Sequence, residues 1–311
     1  MIADAKLAHL DQLATVVESV VGSGAAAGAR AVDVRVWDGV DLRLLPDRGL
    51  DIGAAWFRGT PLAWISQNGE QGPPHPEDLV DRAWGDVWGG GLVTTCGLSN
   101  VGAPSEGYGL HGTYTARPAA ELQVERSTSE VTATATIVDP PFTLSRRIVT
   151  TVGQGLVRLD DRVANDSEWT AAAPLLYHVN IGAPLWDGDA YLETDADEVV
   201  PRDEAAAAGL ATWDEPPTPT ADGLERVFEH AGASWARLTN PRLGVELTVR
   251  SSLPRLWQWV QPASGTYALA LEPANCSVLG REHDIAAGRM PFLDPGEART
   301  SWLTIEARLL R

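Results

Sequence analysis

Val131-Thr132-Ala133-Thr134-Ala135-Thr136-Ile137 alternates apolar and hydroxyl side chains over seven positions. A strand sends successive side chains to opposite faces, so a period of two describes a ribbon with one buried and one wet face. The same reading applies to residues 32–37, 156–163, 243–249 and 302–310. Between such runs lie turn signals, among them Trp37-Asp38-Gly39, Val152-Gly153-Gln154-Gly155, Ala164-Asn165-Asp166-Ser167 and Asp294-Pro295-Gly296, at intervals that suit antiparallel connections. The chain therefore reads as a large all-β, antiparallel protein. Helical signals are few: residues 7–21 fit either a helix or a strand entering a hairpin, and Asp203–Gly209 has the acidic start, alanine run and terminal glycine of a short capped helix. Asp214–Thr220, with three prolines, reads as a surface excursion. No linker or internal repeat divides residues 1–311, so a single domain is expected.

Composition excludes several functions. With 24 basic and 42 acidic residues the net charge is −18, which repels phosphate backbones and anionic lipid surfaces, so neither nucleic acid nor a membrane is expected as a partner. Lys6 is the only lysine. That removes a Walker phosphate loop and any Schiff-base chemistry that needs a lysine in the pocket. Cys96 and Cys276 stand far apart without a C-x-x-C neighbour, suggesting neither a zinc ribbon nor a disulfide framework. The first 30 residues lack the uninterrupted apolar core of a signal peptide, and no stretch reaches the roughly 20 apolar residues of a spanning helix, so the cytoplasm is the expected location.

Three segments carry chemistry-bearing residues in unusual settings. Pro46-Asp47-Arg48-Gly49-Leu50-Asp51-Ile52 holds an arginine between carboxylates, either as a fixed donor fork for hydroxyls or an anion, or as a structural ion pair. Gly89–Leu98 followed by Gly109-Leu110-His111-Gly112 is glycine-rich without a nucleotide-binding fingerprint, and sets His111 among small residues as either an accessible or a structural histidine. Tyr177-His178-Val179-Asn180-Ile181-Gly182 and Leu271-Glu272-Pro273 each put one titratable group in an apolar strand. Desolvation there shifts pKa values, and a histidine and a glutamate so placed suit an acid/base pair, or else serve as hydrogen-bonded core groups.

Together these motifs resemble the galactose mutarotase-like superfamily of aldose 1-epimerases, and within it the branch carried as aldose 1-epimerase family or domain of unknown function. The resemblance spans most of the chain. It implies a β-supersandwich with a sugar cleft on one concave sheet. It also implies catalytic roles for Glu272 as general base and His178 as general acid, with Asn180 two residues on. For substrate binding it implies His111 and Arg48, the latter with Asp47 beside it. The usual mutarotase arginine segment is replaced here by Asp47–Asp51, and no counterpart of the family's sugar-binding aspartate can be placed, which leaves the sugar undefined.

Anomer interconversion removes the proton from the C1 hydroxyl and protonates the ring oxygen, so that the ring opens, the aldehyde turns, and closure occurs on its other face. One acid and one base suffice. The resemblance thus implies no cofactor, no metal, and a monosaccharide as partner. Of the 12 tryptophans, Trp88, Trp186 and Trp257 lie near the motifs and are candidates to pack on a sugar face. His9, His75, His230 and His283 lie outside the motifs and read as surface residues, and the acidic residues of 193–204 as a solvated face. The absence of a Lys/Arg cluster around the motifs favours neutral sugars over sugar phosphates. Two other readings stand beside anomerisation: an isomerase or epimerase acting at another carbon, for which His111, His178 and Glu272 could form a two-histidine, one-carboxylate metal site, and a non-catalytic carbohydrate-binding protein.

Overall fold

A computed structural model describes residues 6–310, and nearly all of them lie in or between antiparallel strands. One sheet has 11 strands. It runs from Ala14–Val20 through Arg30–Val36, Val40–Leu45, Asp51–Phe57 and Val93–Gly97 to the central strands Leu175–Ile181 and Ala268–Ala274, and on to Arg255–Gln261, Arg226–Ala231 and Glu198–Pro201, with the short Thr60–Pro61 pairing beside Asp51–Phe57 as the eleventh. The second sheet has eight strands, with Ala298–Leu309 and Leu156–Asn165 at its centre. Each alternating run of the sequence becomes a strand: 131–137 lies in Glu130–Asp139, and its valine, alanines and isoleucine all enter the core between the two sheets. That core takes Val32 and Val34 from one sheet and Leu159, Leu247 and Ile305 from the other. Among the described residues this two-sheet, antiparallel architecture with two short α-helices is the β-sandwich that the resemblance implies.

The ambiguous segment at 7–21 resolves into a 3-10 turn, Leu10–Gln12, followed by the strand Ala14–Val20. A hairpin partner decides it, since that strand pairs residue for residue with Arg30–Val36. The expected short helix is Glu204–Ala208, with the Asp203 side chain accepting from the Ala206 amide as N-cap. Both cysteines are buried and free. No helix among the described residues is long and apolar enough to cross a membrane.

The central strands Leu175–Ile181 and Ala268–Ala274 are buried on both faces. Leu175, Tyr177, Val179, Leu269 and Leu271 face the inter-sheet core. Their alternate residues face a second apolar layer containing Trp64, Leu79, Trp84, Trp88 and Trp257, which covers the outer side of the 11-stranded sheet. His178 and Glu272 belong to that outer row.

Between the sheets lies a buried charge network. Arg146 uses all five of its N–H donors: Nε and Nη2 to the two oxygens of Asp161 at 2.9 and 2.7 Å, Nη1 to Asp51 at 2.9 Å and the Gly49 carbonyl at 3.1 Å, and Nη2 also to Thr95 Oγ1 at 2.9 Å. Asp161 further accepts from the Tyr177 hydroxyl at 2.9 Å. The network thus grips, from behind, the residues next to Thr94 and His178.

Candidate active site

Strand register brings the two principal groups together. Leu176 pairs with Ala274 and Val179 with Leu271, which leaves His178 opposite Glu272. On the far sides Thr94 pairs with His178 and Trp257 with Glu272. Side chains opposite one another on an antiparallel pair share a face, and His178 Nε2 lies 3.0 Å from Glu272 Oε1. Both residues are only 3% exposed. The acid and base are in direct contact, rather than spread across a gap.

The tautomer of His178 follows from its neighbour. Asn180 Nδ2 donates to the Gly91 and His178 carbonyls at 2.8 and 3.0 Å, which turns Asn180 Oδ1 toward His178 Nδ1. An amide oxygen only accepts, so Nδ1 carries the hydrogen, and one further proton is shared between Nε2 and Glu272. Burial pushes Glu272 up to about 8 and, with His111 nearby, pulls His178 well below the usual histidine range. Across neutral pH the pair therefore holds that one shared proton.

The glycines around the pair allow close backbone approach. Gly91, at φ +113°, places its carbonyl on Asn180, and a Cβ there would stand 2.7 Å from the Ile52 carbonyl oxygen. His111 sits at φ +58°, a left-handed conformation uncommon outside glycine. Its Nδ1 accepts from the Gly102 amide at 3.3 Å, leaving Nε2–H as donor, and its ring meets that of His178 edge to face with centroids 5.7 Å apart.

These groups floor a cavity of about 190 Å³ whose walls include Trp84, Trp88, Trp259 and Val227, with Arg82, Arg202 and Glu225 also lining it. That is small against the ~300–1,000 Å³ of pockets for drug-sized ligands, and suits one sugar ring. The Trp88 indole donates to Thr94 Oγ1 at 3.0 Å and that of Trp259 to Glu225 at 2.9 Å, which fixes both rings. A larger groove, about 970 Å³, lies on the outer side of the other sheet among Arg147, Arg158, Asp160 and Trp302, but contains neither the histidines nor Glu272. Among the described residues no group of three or more His, Cys, Asp and Glu has the arrangement to hold a metal ion.

Of the residues singled out from the sequence, His178, Glu272, Asn180, His111 and Trp88 gather here, while four do not. Arg48 is buried elsewhere, donating to the Gly72 carbonyl at 2.7 Å and to Thr115 Oγ1 at 3.0 Å. Asp47 pairs with Arg30, whose amide and Nε it accepts at 2.7 Å each. This segment is a structural brace, because its charged groups are consumed by local partners. Trp257 lies in the apolar layer beside the pair but does not line the cavity, donating instead to the Cys276 carbonyl at 3.3 Å. Trp186 is in the inter-sheet core. Conversely, Arg82, Trp84, Arg202, Glu225 and Trp259 join the pocket from segments the motifs did not mark. The pairs Trp84/Trp88, just ahead of a glycine run, and Trp257/Trp259, alternating on one strand, are the available signals.

His230 is a further correction. It is buried rather than at the surface, with Nε2 2.9 Å from Gln258 Oε1 and Nδ1 3.2 Å from Thr194 Oγ1. Burial pulls both His111 and His230 down to about 4. A depressed folded pKa contributes stability that is present above the ordinary value of 6.5 and is lost as pH falls toward 4, on the order of 3 kcal/mol per histidine at most. Urea midpoints are expected to fall steadily between pH 6.5 and 4, and His230→Gln to flatten part of that fall. An unchanged slope in the variant would show that His230 is not among the responsible groups.

The fold has counterparts among solved structures. A "putative aldose 1-epimerase" from Klebsiella pneumoniae superposes with a TM-score of 0.84 at 20% identity, over 96% of this chain and 86% of that one. A galactose mutarotase-like protein from Clostridium acetobutylicum gives 0.66 at 10% identity over 96% and 100%. A "putative mutarotase" from Salmonella typhimurium gives 0.63 at 13% over 94% of each chain. The class is therefore the mutarotase-like β-sandwich. Within it, residues 26–307 match the model of a domain of unknown function, DUF4432, and the chain belongs to that family. No curated protein matches it.

Proposed function

We propose that this protein is an aldose 1-epimerase-like isomerase that interconverts the anomers of a monosaccharide, with His178 and Glu272 as its acid/base pair. The observation that carries this reading is their direct contact on the floor of a tryptophan-walled cavity. Ring opening transfers the O1 proton to the Glu272 carboxylate and a proton from His178 Nε2 to O5. The C1–O5 bond breaks and C1 becomes an aldehyde carbonyl. After rotation about C1–C2 the same transfers run backward on the other face. The state with carboxylate and imidazolium and the state with two neutral groups have equal proton counts, so each half of the cycle moves the pair from one to the other without drawing on solvent. A hemiacetal enters by inserting O1 and O5 between the two side chains. His111, through Nε2–H, donates to a sugar hydroxyl, and Trp88 and Trp259 pack on C–H faces.

The test is polarimetry or NMR on freshly dissolved, anomerically pure sugars. Acceleration over the buffer rate is expected for at least one. Binding across a broad panel without acceleration would replace this reading with a carbohydrate-binding one. The rate has a defined pH dependence: the one-proton pair persists from mildly acid pH up to about 8 and loses its proton above that. The profile should be flat through neutrality and drop about tenfold per pH unit on the alkaline side. A rate still rising at pH 10 would exclude this pair as the titrating machinery.

A further inference from the structure

The charge of the pocket can be counted wherever the shared proton lies. His178 and Glu272 with that proton are neutral overall in either arrangement, and His111 is uncharged at neutral pH. Arg202 is committed: it donates through Nη2 to Glu225 at 2.9 Å and through Nε to Asp203 at 2.7 Å, and Asp203 itself caps a helix outside the pocket. What remains is Arg82. It precedes the 3-10 turn Ala83–Val87 that delivers Trp84, lines the cavity, and forms no ion pair with any described carboxylate. Its sequence neighbours Asp81 and Asp86 do not line the cavity. In a chain of net charge −18, the charged side chains that line the pocket are Arg82 and Arg202 against Glu225 besides the neutral His178–Glu272 pair, and Arg82 is the one that makes no ion pair among the described residues.

Resting on the function proposed above, we infer that the pocket takes a monosaccharide bearing a carboxylate, a uronic acid, with its hemiacetal carbon at His178 and Glu272 and its acid group at Arg82. A guanidinium is a planar donor fork that matches the two oxygens of a carboxylate. A phosphate dianion would call for a second free cation, and Arg202 is already held by two carboxylates, one of them the pocket-lining Glu225. No basic cluster surrounds the motifs in sequence, but Arg82 and Arg202 enter the pocket from other segments.

Anomer exchange measured by NMR saturation transfer on D-glucuronate, D-galacturonate, D-glucose, D-galactose and D-glucose 6-phosphate tests the inference. Wild-type kcat/KM for at least one uronate is expected to exceed that of its neutral parent by tenfold or more. In Arg82→Gln that uronate-to-parent ratio should fall about 10- to 100-fold, the worth of a charge-assisted hydrogen bond, chiefly through KM. Equal use of neutral sugars, a ratio indifferent to Arg82→Gln, or preference for the phosphate would each overturn the inference while leaving anomerisation standing. If no sugar is accelerated, the function proposed above fails, and calorimetric titration with glucuronate still decides this point. Binding weakened tenfold or more in Arg82→Gln supports acid recognition, and absence of binding to the wild type overturns it.

Discussion

Glu272→Gln is expected to slow anomerisation by about 10²- to 10⁴-fold, the usual worth of a positioned general base. Glutamine keeps the volume and the capacity to hydrogen-bond His178, but cannot take the O1 proton. His178→Ala should cost a similar factor, and the double variant little more than either alone, because the two residues pass one proton between them and act as a unit. Folding should move the other way. Burial holds the Glu272 carboxyl near 8, so its contribution to stability is present below the ordinary carboxyl pKa and lost as pH rises through 8. Glu272→Gln removes that penalty, and its melting temperature at pH 8.5 should equal or exceed that of the wild type. A variant that retains full rate, or that loses rate only because it is unfolded by circular dichroism, would remove Glu272 from the mechanism.

Arg146→Met is expected to be the most destabilising single change, at about 3–5 kcal/mol. Methionine fills much of the same space, yet it leaves Asp51 and Asp161 buried between the sheets without their shared cation. Asp51 would still accept from Thr95 at 2.9 and 2.7 Å and Asp161 from Tyr177, bonds that cannot neutralise two charges. The deficit relative to wild type should shrink as pH falls from 7 toward 5, since uncompensated buried carboxylates take up protons more readily. Urea denaturation at the two pH values measures both effects. A loss below 1 kcal/mol would mean that the network contributes little beyond packing.

The sheets were legible in the sequence because most strands have one buried face, and a one-sided environment enforces alternation. The two central strands lost that signal by being buried on both sides, yet they advertised themselves differently, each carrying one titratable residue in an apolar run. What could not be read was register. The contact between His178 and Glu272 depends on how Leu175–Ile181 slides against Ala268–Ala274, and nothing local to either strand fixes that. Arg48 shows the complementary limit: an arginine between carboxylates has the same local pattern whether its fork points to a ligand or, as here, to Gly72 and Thr115. Arg82, Arg202 and Glu225 flank regular elements, where no periodicity exists to mark them.

The placement of these groups divides labour within the protein. Under the proposed function, proton transfer falls to residues on the two central strands, one of them tied through Tyr177 to the Asp161–Arg146 pair, while the side chains that would recognise the rest of a ligand lie mainly on peripheral loops and strand ends. On that reading, an exchange at 82 would redirect which sugar is welcomed while leaving the proton-transfer pair in place, whereas exchanges at 202 or 225 would also shift Glu272, whose protonation both residues influence, so that a lineage built on this scaffold could diversify its diet through one position while inheriting its chemistry.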